Sequence, residues 1–126
     1  MTIVTSDDIY NQTTRMDIHQ VAKELTDALG PTLVAVLAGI RDRKLPTKWS
    51  RNDGPTPRDE AQSRLRTAHR AWRQLVSAES EHVARAWFIG LNPLLGEKPP
   101  TVALADGLER EVLMAAQAFC EEDRTT

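Results

Sequence analysis

The sequence contains a single cysteine, Cys120, among its 126 residues. One cysteine excludes an internal disulfide, and such a composition is typical of a reducing cytoplasm. Long hydrophobic runs are also lacking, and the longest one, residues 33–40, is far too short to span a bilayer. The first residues carry no signal-peptide pattern. We therefore expect a cytoplasmic protein that does not insert into a membrane.

Motifs of enzymes, metal sites and cofactor sites are missing as well. The sequence has no glycine-rich phosphate loop, no His-Glu-x-x-His pattern and no pair of cysteines. Its three histidines, His19, His69 and His82, stand at spacings that do not suit a shared metal. Two acids, Glu109 and Glu111, cannot share one helix face at this spacing. The sequence thus predicts no catalytic residue, no metal and no cofactor.

Charge is distributed unevenly along a chain of ordinary globular composition. Hydrophobic residues make up 40% and charged residues 27%, and the formal net charge is −2. Residues 41–76 hold ten basic and four acidic residues, a net of +6. Residues 1–40 hold two basic and five acidic residues (−3), and residues 77–126 hold four and nine (−5). A basic middle between acidic ends predicts different partners for different parts of the chain.

Apolar residues recur at three- and four-residue spacing through most of the chain, which predicts an all-α fold. Residues 1–16 lack such a period, and we expect them to form a flexible arm. Asp17 is the predicted N-cap of a first helix that ends at Gly30, and Pro31 begins a second, buried helix. The apolar face expected on the first helix consists of Ile18, Val21, Ala22, Leu25 and Leu29.

Turn and capping signals predict the later helices. A short third helix starts at about Leu45, because Pro46 is acceptable only in a first helical turn. Thr56 is the predicted N-cap of a long helix, and a further helix covers residues 79–89. Asp106 is the predicted cap of the terminal helix. The long helix carries a basic stripe on one side, formed by Arg66, Arg70 and Arg73.

The cation-rich segment 41–51 has two interpretations. In the first, it is the recognition element of a helix-turn-helix, whose side chains contact phosphates or base edges of DNA. The residues that would make these contacts are Lys44, Thr47, Lys48 and Arg51. In the second, it is a solvated face, and the arginines pair with the acidic ends of the chain. Charge alone does not separate the two. Trp49 is predicted to anchor the core rather than to stack on a base.

A second candidate surface lies where the apolar helix around Trp87 ends at Gly90. Asn92-Pro93 is a turn pair, because proline disfavours the helical region for the residue before it. A loop that carries Leu94 next to Leu95 cannot easily hide both, and an exposed apolar patch there would mark a protein-binding surface. The alternative is that these leucines fill a helical core, as we expect Trp87 to do.

The residue order in this last third is W-F-x-G-x-N-P-x-L, then P, then L-x-x-G, then V-x-x-A-A-x-x-F. It resembles the toxin-binding region of the Xre/MbcA/ParS antitoxins, which neutralise NAD-consuming or ADP-ribosylating RES-domain toxins. Residues 29–39 and the later Trp49 resemble the helix-turn-helix half of the same proteins. The resemblance divides the chain into a helix-turn-helix-like region, residues 17–55, and a helical toxin-binding domain, residues 56–126.

This resemblance implies a type II antitoxin that blocks a RES-domain toxin sterically and binds operator DNA through its basic segment. The toxin-binding residues it implies are Asn92, Pro93, Leu94, Leu95 and Leu104. A homodimer or a toxin–antitoxin hetero-oligomer is expected. The alternative is a free-standing helix-turn-helix regulator that uses the C-terminal domain for dimerisation. A small enzyme is disfavoured because no catalytic motif is present.

Overall fold

The structure is a computed structural model that describes residues 5, 7–9 and 16–125, with side chains through residue 122. The fold is all-α, as predicted, and the arm predicted for residues 1–16 lies largely outside the described residues. No helix in the described part is long and apolar enough to cross a membrane. From residue 16 onward the elements are α1 (Ile18–Leu29), α2 (Pro31–Ala38), α3 (Leu45–Trp49), α4 (Asp59–Ala78), α5 (Glu81–Ile89), a 3-10 turn (Pro93–Leu95), α6 (Pro100–Ala105) and α7 (Glu109–Thr125).

The first two helices form where their capping and helix-ending residues predict them. The carboxylate of Asp17 accepts a hydrogen bond from the backbone N–H of His19 at 2.9 Å and so caps α1. Gly30 ends α1 at φ 88°, a conformation that L side chains rarely adopt, and Pro31 then opens α2. The five apolar residues predicted to form the buried face of α1 are all buried, which confirms that prediction.

Two predicted helix N-caps are wrong: Thr56 does not cap α4, and Asp106 does not cap α7. Thr56 is exposed and α4 begins only at Asp59, with Arg58 in the N-cap position. The carbonyl of Pro57 accepts a hydrogen bond from the side-chain amide of Gln62 at 2.9 Å, while the backbone N–H of Gln62 donates to the carbonyl of Arg58 at 2.8 Å. Asp106 ends α6 instead of starting α7, and its carboxylate pairs with the Lys98 ammonium at 2.7 Å.

The fifth helix also starts later than predicted, at Glu81 rather than residue 79. The hydroxyl of Ser80 accepts a hydrogen bond from the backbone N–H of Val83 at 3.2 Å, and this cap fixes the helix start. Glu79 is extended and ends α4. The short third helix begins at Leu45 as predicted, with Pro46 in its first turn.

The core is continuous across residue 56, where the sequence suggested a boundary. The central helix α4 packs against α1 and α2 on one side of that boundary and against α7 on the other. One cluster of buried residues includes Trp49, Trp72 and Trp87, and the predictions of a buried Trp49 and a buried Trp87 are confirmed. The ring of Phe88 lies in T-shaped contact with Trp87 at a centroid distance of 5.2 Å and tilted to Trp72 at 6.5 Å.

Candidate partner-binding surfaces

The loop after α5 is closed by Asn92. The Asn92 side-chain oxygen accepts a hydrogen bond from the N–H of Leu94 at 2.9 Å, and its backbone oxygen accepts one from the N–H of Glu97, also at 2.9 Å. The N–H of Asn92 donates to the carbonyl of Lys98 at 3.2 Å. These bonds shape the loop from within, so we interpret Asn92 as the residue that sets its conformation.

Apolar side chains project from this loop into solvent. Leu91 is 69% exposed, Leu94 is 66% exposed, and Ile89, the last residue of α5, is 51% exposed. Pro93, between the two leucines, is exposed as well. We call Ile89, Leu91, Pro93 and Leu94 the apolar turn. Exposed apolar side chains grouped in one short segment make this loop a candidate interaction surface.

Two of the five residues predicted to contact a toxin are buried instead. Leu95 is 5% exposed and Leu104 is fully buried, so both belong to the core. The 3-10 turn points Leu94 outward and Leu95 inward, which separates two neighbours that sequence cannot distinguish. Leu104 lies on the buried face of α6 with Pro100, Thr101 and Ala103. The prediction of surface positions for Leu95 and Leu104 is therefore wrong.

The structure adds two residues to this surface that the sequence did not single out. Ile89 and Leu91 flank Gly90 and occupy variable positions of the motif that suggested the site. Both are large and apolar, yet neither has a place in the core.

The four residues predicted to bind DNA lie together on another surface. Lys44, Thr47, Lys48 and Arg51 are exposed, and they line one depression of about 480 Å³ with Arg43 and Pro31. We call this site the basic depression. Four of its six lining side chains are cationic and none is acidic. Within the described residues, none of these cations forms an ion pair. The arrangement creates a strong local positive potential.

The arginine stripe on α4 is directed largely toward the protein itself. Arg66 donates a hydrogen bond to the carbonyl of Met16 at 2.9 Å. Arg73 donates to both carboxylate oxygens of Glu24 at 3.0 Å, and all three stripe arginines are half-buried. Arg73 thus pairs with an acidic residue of the chain, and its guanidinium is engaged within the protein.

A polar cluster with one buried and two half-buried side chains joins α1 to α4. The ring of His69 is fully buried, and its Nε2–H donates to Glu24 at 3.2 Å, since an ionised carboxylate can only accept. Its Nδ1 has no hydrogen-bond partner among the described residues. Burial lowers the pKa of His69, although the bond to Glu24 opposes the shift. Burial opposes the ionisation of Glu24, but bonds from Arg73 and His69 outweigh it and lower the pKa of Glu24.

We expect acid to destabilise the protein through this cluster. Below the ordinary His pKa of about 6.5 the unfolded chain binds a proton that folded His69 resists, so the free energy of unfolding falls with pH. Urea unfolding at about pH 7.5 and about pH 5.5 measures the loss across this window. His69→Gln keeps a donor for Glu24 and should show a smaller loss. An equal loss in both proteins would remove His69 as the cause.

Comparison with known proteins gives no relative: no family model, no curated protein and no solved structure matches the chain.

Proposed function

We propose that this protein is an antitoxin that binds a RES-domain toxin and blocks the toxin's NAD pocket sterically. The observation that carries the proposal is the apolar turn, whose exposed residues lie within the segment that resembles the toxin-binding motif. Inhibition by occlusion needs shape and apolar contact but no reacting group, so the proposed activity is not enzymatic. The net charge of −5 over residues 77–126 supports a partner with a basic cleft.

The apolar turn is large enough to anchor a complex but not to hold it alone. Burying Ile89, Leu91 and Leu94 contributes roughly 1.5–3 kcal/mol each, so about 5–9 kcal/mol in all. Association costs at least about 4 kcal/mol in lost freedom, and a micromolar complex requires a net of about 8 kcal/mol. Polar contacts from the acidic last third must therefore contribute the remainder.

Leu91→Asp combined with Leu94→Asp is expected to abolish neutralisation of the toxin. Both side chains are exposed in the free protein, so the melting curve should stay close to the parent. In the complex each substitution would bury an unpaired carboxylate, and together they should weaken toxin binding at least about hundredfold. The measurement is a binding isotherm with the co-expressed RES-domain toxin, together with growth of cells that produce both proteins.

Met114→Asp is the matched control for this pair. Met114 lies on α7 and is 59% exposed, so the same kind of charge is added at a similarly exposed apolar residue outside the apolar turn. We expect this variant to bind and neutralise the toxin as the parent does. If the double variant still binds within a few-fold of the parent, the apolar turn is not the contact surface.

The basic depression supports DNA binding as a second function. The alternative is a free-standing DNA-binding regulator that uses its C-terminal part to dimerise. An adjacent reading frame for a RES-domain protein favours the antitoxin, and co-purification of the two products tests it directly. We propose a homodimer or a toxin–antitoxin hetero-oligomer as the assembled state.

A further inference from the structure

We infer that the basic depression contacts the phosphate backbone of double-stranded DNA without reading base sequence. The inference rests on the proposed DNA-binding function and states what kind of contact that function uses. It concerns Arg43, Lys44, Lys48 and Arg51, which line the depression beside Thr47 and Pro31.

The shape of α3 argues against base readout. A helix of five residues is about 7.5 Å long at 1.5 Å per residue. A recognition helix lies in a major groove about 12 Å wide and 8.5 Å deep and presents several side chains to base edges. Pro46 and Trp49 face the core, so α3 offers only Thr47 and Lys48 as exposed side chains. Two exposed side chains on a helix of this length are too few for the base contacts that a recognition helix makes.

The charges of the depression match a phosphate ligand instead. Four cations surround the space, no carboxylate lines it, and the described residues supply no ion-pair partner for them. Pro31 is the first residue of α2, a helix with no acidic residue and no side-chain cap in its first turn, so its dipole adds to the positive potential. Cations held together with no internal partner attract a polyanion and release its counterions.

Duplex DNA suits this surface better than an anionic membrane does. A membrane-binding site combines cations with apolar groups that enter the lipid. Among the described residues that line the depression, Pro31 alone is apolar. The whole chain carries a net charge of −2, so attraction to a polyanion requires a local concentration of cations such as this one. Binding should therefore be salt-sensitive and should be similar for duplexes of different sequence.

The test compares two duplexes of equal length and composition, the promoter of the protein's own operon and a shuffled version of it. Fluorescence anisotropy of the full-length protein is recorded over a series of potassium chloride concentrations. We expect the two dissociation constants to agree within about threefold, far from the 10³-fold or greater preference of specific binders. Lys44→Ala with Lys48→Ala should flatten the log–log salt slope by about 1.8 for both duplexes.

Arg85→Ala with Arg110→Ala is the control, because it removes the same charge from exposed residues of α5 and α7. Its salt slope should equal that of the parent. Preference for the promoter by more than about a hundredfold would overturn the backbone-only contact while leaving DNA binding in place. Failure of the parent protein to bind either duplex would overturn both the backbone contact and the proposed DNA binding. The same proteins are also tested on vesicles that contain phosphatidylserine. If the Lys44→Ala, Lys48→Ala variant loses binding to the vesicles but binds duplex DNA as the parent does, the ligand is lipid and the inference is overturned.

Discussion

Leu95→Asp is expected to unfold the protein, whereas Leu94→Asp, one residue earlier, leaves it folded. Leu95 is a member of the buried core, and removing such a side chain costs about 2–5 kcal/mol. The introduced carboxylate adds a desolvation penalty of several kcal/mol. Together these approach the whole free energy of unfolding of a domain this size, which is about 5–15 kcal/mol. Leu94 is exposed, so its substitution should change stability by no more than about 0.5 kcal/mol.

Thermal melting followed by circular dichroism checks this pair, since both variants carry the same added charge in the same turn. Leu95→Met serves as a second control, because it conserves volume and should cost less than about 1.5 kcal/mol. Coincident melting curves for Leu94→Asp and Leu95→Asp would show that the 3-10 turn does not orient the two leucines as described.

The helices before residue 50 could be predicted because their signals are local. The buried face of α1 follows from apolar spacing, and Asp17, Gly30 and Pro31 mark its start, its end and the start of α2. Pro46 likewise limits α3 to a helix that begins at Leu45. Each of these signals concerns residues within one or two turns of each other, so no knowledge of the packed protein is needed.

Other features could not be predicted from the sequence, because they depend on contacts that form only in the folded protein. Leu94 and Leu95 are adjacent and chemically identical, and only the 3-10 turn after Asn92 decides which of them faces the core. The cluster of Glu24, His69 and Arg73 joins residues more than 40 positions apart in sequence. No local pattern predicts such a pairing, because it arises from the packing of α1 on α4.

The two candidate surfaces are attached to a single core. The basic depression includes the first residue of α2, and α2 packs against α6, the helix that follows the apolar turn. Both helices contribute to the same cluster of buried residues. A disturbance in the core beneath either surface should therefore affect both, although the surfaces have different chemistry and are assigned different partners.

Trp87→Ala is expected to lower the free energy of unfolding by about 3–5 kcal/mol, because it removes a buried indole in edge contact with Phe88. Since the core is continuous, we expect the loss to appear throughout the molecule. The NMR indole signals of Trp49 and Trp72 should disappear at the same urea concentration as the helical circular dichroism signal. Below that concentration the folded variant should still bind the toxin, because Trp87 is buried and is not one of the exposed residues of the apolar turn.

Ile89→Ala is the matched control on the same helix. Ile89 is half exposed, so we expect its truncation to leave the unfolding midpoint nearly unchanged and to weaken toxin binding. Trp87→Ala should thus lower stability and leave toxin binding intact, whereas Ile89→Ala should leave stability intact and weaken toxin binding. Persistence of the Trp49 signal after the Trp72 signal of the Trp87→Ala variant is lost would show that residues 17–55 fold independently. The shared core would then not couple the two surfaces.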